Sequence, residues 1–343
     1  MASLPSSHRA FIALALQGGG SHGAFAWGVL DRLLEDHRFE IEAISGASAG
    51  SVNAVALAHG LLQDGRDGAR ASLQRFWDAL TAITPPGFFH ESLTENALHP
   101  TPSPSLQAFL TLARFFAPYQ LNPFDLNPLR EILEAQIDFE RLRASRLKLF
   151  LAATRVRTGT LRLFRTREIS LAVVLASACL PLLHHTVEID GESYWDGGMT
   201  ANPPLYPLLH ECTARDVVAV LLHPRSWPAH PSSAADISHR LTEISFGAAF
   251  FSELQGIVLA RRLAEQSWVP WGSLERRLRR FRLHVVDAPD LMGSLDSLSK
   301  LNARAPFIAA LRDAGRERAD AWLRQNGSAI GRRETFDVTS LLD

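Results

Sequence analysis

Two short runs carry the residue types that acyl-transfer chemistry needs. The first, Gly46-Ala47-Ser48-Ala49-Gly50, sets a serine between glycines two positions before and two after it. Small residues there let a chain turn sharply from a strand into a helix with the hydroxyl exposed on the turn, the nucleophile-elbow arrangement. The flanks fit, because EIEAISG reads as a strand and AGSVNAVALAHG as a helix. Ser48 then sits at a helix N-terminus, whose dipole favours developing negative charge. In an Ala- and Gly-rich chain the same five residues also serve as an ordinary tight turn, so other elements must decide.

The second run, Gly18-Gly19-Gly20-Ser21-His22-Gly23, follows the apolar stretch FIALAL. A G-x-G-x-x-G between strand and helix fits a dinucleotide pyrophosphate, but that use needs an acidic residue ending the next strand about 20 residues on. Here the next strand ends in ISGAS. The glycines are better read as offering backbone amides, from Gly18, Gly19 and Gly20 together with Ala49, to an oxyanion. Each such donor is worth on the order of 10²–10³ in rate. Close helix packing is the competing use. A third run, Asp196-Gly197-Gly198, offers a carboxylate that can serve as base to a serine; an exposed hairpin turn is the other common role of Asp-Gly.

In this order, GGGSHG, GASAG and DGG resemble the patatin-like phospholipases, lipid acyl hydrolases that use a Ser-Asp dyad in place of a triad. The resemblance extends to RTGTLRLFR and to ASACLPLLHHTVEIDGESYWDGGMTANPPLYPL, and is most distinctive over residues 10–225. It implies Ser48 as nucleophile and Asp196 as proton acceptor, with Gly23, Gly46, Gly50, Gly197 and Gly198 as supporting positions. It also implies hydrolysis of fatty acyl esters of phospholipids or lysophospholipids, with no metal and no organic cofactor. One position departs from the family. Its glycine loop often carries Arg or Lys where this chain has His22. His184, His185 and His223 fall near expected strand ends and read as structural.

These residues need a rigid frame. A chain of 343 residues with 46% hydrophobic content can bury one large core, or a core plus an inserted or appended lobe. FIALALQ, EIEAISG, KLFLAATRV, DVVAVLLHP and FRLHVVDA read as buried, mostly parallel strands alternating with helices, whereas TGTLRLFRT and VEIDGESYW read as hairpin strands. The expectation is an α/β fold: a three-layer α/β/α sandwich with a central mostly parallel sheet, spanning residues 10–325 and followed by a fraying tail, 326–343. The last long helix is expected to bend near Pro306. Residues 84–127, rich in Pro, Phe and Leu, break the alternation and read as an inserted helical cap, either packed over the sheet edge or lidding an apolar site.

A net charge of −1 gives no overall attraction to nucleic acid. Cys179 and Cys212 lack metal-ligand spacing and read as free thiols. FIALAL is too short for a signal peptide and no uninterrupted apolar run reaches the roughly 20 residues of a membrane span, so a cytoplasmic or peripheral membrane location is expected. Arg261, Arg262, Arg276, Arg277, Arg279, Arg280 and Arg282, with Trp268 and Trp271, suit either an anionic membrane surface or a solvated helix face. Oligomeric state is not legible. The competing functions are an esterase or thioesterase on smaller soluble substrates, and a non-catalytic lipid or nucleotide binder.

Overall fold

The strand Ala10–Leu16 buries Ile12, Leu14 and Leu16 on one face and Ala13 and Ala15 on the other. A strand covered on both faces belongs to the middle of a layered fold. Ile12, Leu14 and Leu16 share one core with Phe25, Val55, Trp77 and Leu311, whereas Ala13 and Ala15 share a second with Leu208, Phe250 and Leu254. Two cores on opposite faces of one sheet make three layers, as expected. This computed structural model describes residues 9–83, 89–90, 97–99, 101–113, 115–224, 230–266 and 272–338.

In chain order the strands are β1 (Ala10–Leu16), β2 (Phe39–Gly46), β3 (Phe89–His90), β4 (Thr101–Pro102) and β5 (Lys148–Arg155), then β6 (Leu161–Arg165), β7 (Val187–Ile189), β8 (Glu192–Asp196), β9 (Asp216–Val220) and β10 (Arg282–Val286). The main sheet runs β10-β9-β1-β2-β5-β8-β7, with β6 also on β5. From β10 to β5 every pairing is parallel; β6, β8 and β7 are antiparallel additions. The runs read as hairpin material are these antiparallel strands. β5 carries the arrangement that matters for function. Its residues Ala43-facing Lys148 through Gly46-facing Leu151 pair with β2, and its residues Ala153 to Arg155 pair with β8, Ala153 facing Asp196. The end of β2 and the end of β8 therefore converge beside adjacent stretches of one strand.

The structure adds one detail and departs from the sequence expectations in others. The Ala49–Ala82 helix is broken at Asp64 and Gly65, where glycine takes φ +56°. The C-terminal helix begins at Ala305, with Pro306 in its first turn. Proline there needs no amide hydrogen bond and starts the helix instead of bending it. The tail does not fray through residue 338: Ala329, Ile330, Phe336 and Val338 are buried, and Phe336 N–H donates to Leu283 O at 3.2 Å. Within residues 84–127 the described part holds the β3–β4 pair and the helices Pro104–Leu112 and Pro118–Leu121. Its Phe115 and Phe124 are 78% and 83% exposed, and Phe88 lies outside the described residues.

Among the described residues one helix segment, Asp236–Gln266, is long and apolar enough to cross a membrane by length and composition alone. That is weak evidence, since sheet-covering helices meet the same test. This helix brings Phe250 and Leu254 to the second core, and it carries the buried Glu243.

Candidate active site

Ser48 follows β2 and precedes the Ala49–Ala82 helix with φ 53° and ψ −127°. A non-glycine residue in this region stores about 1–3 kcal/mol of strain, which the surroundings must hold in place. They do so through close packing. A β-carbon at Gly46 would lie 2.7 Å from Gly50 backbone, and one at Gly50 would lie 2.1 Å from Leu16 O. Ser48 N–H donates to Ser177 O and Oγ, each at 3.1 Å, and Ser177 Oγ also meets Ser51 Oγ at 2.7 Å. Ser48 thus stands on a tight, closely packed turn between β2 and the helix.

The glycine loop lies against it. A β-carbon at Gly18 would sit 2.6 Å from Ser48 Cβ and equally close to Ala47 O, so no side chain fits there. Gly20 has φ +57° and backs onto the carbonyl of Lys300. Gly23 and Ala49 bring the starts of two helices into contact. The four expected oxyanion donors are not equivalent. Gly18 N–H is taken by Asn202 Oδ1 at 2.6 Å, which removes it from that role. The amides of Gly19, Gly20 and Ala49 donate to no other described residue.

Asp196 ends β8 and is fully buried. Its N–H donates to Cys179 O at 2.8 Å, Thr154 Oγ1 donates to its carbonyl at 2.8 Å, and Gly198 N–H donates to Oδ1 at 2.7 Å. Gly197 permits the close approach, since a β-carbon there would lie 2.1 Å from Ala152 O. The second oxygen, Oδ2, is buried without a hydrogen-bond partner among the described residues. Burial pushes the Asp196 carboxyl up to about 6, while the Ser48 hydroxyl and the Gly198 amide pull it partly back. Ser48 is thus near enough to act on a carboxylate whose second oxygen has no hydrogen-bond partner among the described residues.

His22 does not replace the missing basic side chain. It is buried against Ser299, Nε2 to Oγ 2.7 Å, and burial followed by the nearby Lys300 holds its pKa well below the usual histidine value. His184 is likewise held low by burial. His185 packs its ring against Tyr119, with centroids 4.2 Å apart. His223 faces Glu243 and the Gly18 carbonyl.

The arginine cluster lies elsewhere and is largely engaged within the chain. Arg277 donates to the carbonyls of Leu209, His210 and Cys212, Arg279 to that of Ala264, Arg261 to Glu265 and Glu334, and Arg282 to Asp216. Trp268 and Trp271 lie outside the described residues. Cys179 and Cys212 are free and buried, as expected. Asn202 and Ser177 were not singled out from the sequence, although both stand in the TANPP and ASACLP segments beside the motifs.

The sheet, the strained serine turn and the glycine loop define the class of protein. The family model described as patatin-like phospholipase matches residues 14–209, and the chain belongs to that family of lipid acyl hydrolases. Among solved structures, VipD from Legionella pneumophila is similar at 14% identity over 92% of this chain and 67% of its own, with a TM-score of 0.43. No curated protein matches the chain.

Proposed function

We propose that the protein is a serine acyl hydrolase with a Ser48–Asp196 dyad, cleaving fatty acyl esters of phospholipids or lysophospholipids. One observation carries this: a strained serine at a helix start acts on a fully buried aspartate whose Oδ2 has no hydrogen-bond partner among the described residues. A carboxyl raised to about 6 remains mostly ionised at neutral pH and is more basic than an ordinary aspartate, which suits a direct proton acceptor.

In the first half-reaction Ser48 Oγ attacks the acyl carbonyl carbon as its proton passes to Asp196 Oδ2. The oxyanion is held by amides drawn from Gly19, Gly20 and Ala49. Collapse breaks the ester bond, and the leaving alcohol takes the proton from Asp196. Water then attacks the acyl-enzyme, giving its proton to Asp196, and the fatty acid leaves as Ser48 recovers that proton. Every proton is accounted for by the dyad, without a histidine.

The substrate is met at a lipid surface. Support comes from the exposed Phe115, Phe124, Leu126 and Leu182, together with Tyr119, whose hydroxyl bonds Thr186 at 3.0 Å on the segment leading to β7 and β8. The test is a panel of phospholipids, lysophospholipids and short soluble esters, run on wild type and Ser48→Ala. Acyl release from lipids by wild type alone is expected. Turnover restricted to the soluble esters would move the substrate class to the esterase or thioesterase alternative.

A further inference from the structure

Behind the glycine loop lies a buried ion cluster that the acyl-transfer steps leave unused. Glu243 receives Lys300 Nζ on Oε1 and His223 Nδ1 on Oε2, the latter at 2.6 Å. The side chains of Glu243 and His223 are each 3% exposed. His223 Nε2 in turn lies 3.1 Å from the carbonyl oxygen of Gly18. The carboxylate and the carbonyl are both acceptors, and the imidazole bridges them, donating to Gly18 O where Nε2 carries the proton. Burial first, and then Lys300, hold the His223 pKa below the usual histidine value against the opposing pull of Glu243 and the Gly18 carbonyl.

The Gly18 carbonyl and the Gly19 N–H belong to one peptide unit. A hydrogen bond accepted by a peptide oxygen polarises that unit, and in condensed phase strengthens its N–H as a donor by about 10–30%. The Gly19 amide is one of those left open beside Ser48. The loop is held on either side as well: Gly18 N–H donates to Asn202 Oδ1, and Gly20 packs closely against the Lys300 carbonyl.

We propose that His223, held by the Lys300–Glu243 pair, is a positioning residue for the oxyanion loop: from behind, it fixes the Gly18–Gly19 peptide and strengthens its N–H. Lys300 and Glu243 act through it and do not touch substrate. The inference rests on the Ser48 reading above. It deepens that reading by adding three residues with no motif of their own.

The test uses the full chain, a soluble short-chain ester, and His223→Leu, His223→Gln, Lys300→Met and Lys300→Arg, each with kcat, KM and a thermal melt. Glutamine keeps a donor for Gly18 O. Because the oxyanion forms only in the transition state, His223→Leu should lose about 10–100-fold in kcat with KM within about twofold, somewhat less than removal of a donor outright. His223→Gln should recover most of that loss, and Lys300→Arg should exceed Lys300→Met in kcat. Unchanged kcat in a folded His223→Leu, or an equal loss in Gln and Leu, would overturn the proposal. If His223→Leu fails to fold, the lysine pair decides, and equal kcat in Met and Arg overturns it. Fluorophosphonate labelling of wild type separates the two layers of inference. A label on Ser48 with unaffected His223 variants ends the positioning role alone, whereas a label elsewhere ends both.

Discussion

Asp196 faces Ala153 across the antiparallel β5–β8 ladder, two residues beyond the point where Leu151 faces Gly46 across the parallel β2–β5 ladder. At about 3.3 Å per residue, this register brings the end of β8 alongside the turn that leaves β2. The strand ladder, more than any loop, sets the serine and the carboxylate beside each other. The closing Gly197 is pinned over Ala152 between those two positions.

The first consequence is a pH profile. A direct base must be ionised, and the Asp196 carboxyl is raised to about 6 by burial. In wild type kcat/KM on a soluble ester should rise through a single step near pH 6 and then stay level across neutral pH. Asp196→Asn should remove both the step and nearly all turnover, because an amide keeps the shape but takes no proton. Appreciable turnover in Asp196→Asn would exclude the dyad.

The same burial has a stability cost of definite sign. A carboxyl with a pKa of about 6 in the fold and 3.8 in the unfolded chain binds its proton more tightly when folded. Stability is therefore highest below the unfolded value and falls as pH rises from about 4 to about 6. Asp196→Asn cannot ionise and should be more stable than wild type at pH 8, by about 2–3 kcal/mol, with the difference vanishing toward pH 3.5. Denaturant titrations of both proteins at the two pH values measure it.

The dyad also forbids an essential imidazole in the serine's proton transfer. His22→Gln, His184→Gln and His185→Gln should each stay within about 10²-fold of wild type, at or below the loss expected for a general base. His22 is allowed the largest of these because its ring anchors the loop to Ser299. A folded variant as inactive as Ser48→Ala, beside an active Asp196→Asn, would reassign the base to that histidine.

Phe115 and Phe124 stand in solvent, so replacing them costs little packing. Phe115→Ser with Phe124→Ser should leave the melting temperature and short-ester hydrolysis near wild type, and should lower hydrolysis of long-chain lipid in vesicles by about tenfold or more. Equal losses on both substrates would show that the phenylalanines serve the fold and not the interface.

The sequence made the frame legible wherever the signal is local. Near-continuous apolar runs marked β1, β2, β5, β9 and β10, and glycine spacing marked the two loops, because each depends on a few adjacent residues. Contacts set by register or by distant packing were not legible. Nothing in Gly18-Gly19-Gly20 shows that Asn202 takes the first amide, nor does any motif join His223 to Glu243 and Lys300, which come from three separate segments. Pro306 illustrates the ambiguity of a single residue, since the same ring bends a helix interior and begins a helix at its first turn. Residues 326–343 read as a fraying tail, yet Ile330 joins one core and Phe336 and Val338 the other, among residues far away in sequence.

The central claim is that Ser48 carries the acyl group, and mapping the covalent adduct tests it most directly. Wild type incubated with a fluorophosphonate, then digested and analysed by mass spectrometry, should carry one adduct, on the peptide containing Gly46-Ala47-Ser48-Ala49-Gly50. Ser48→Ala should carry none and should release no fatty acid from lysophospholipid. An adduct on another residue, or undiminished acyl release by folded Ser48→Ala, would contradict the account.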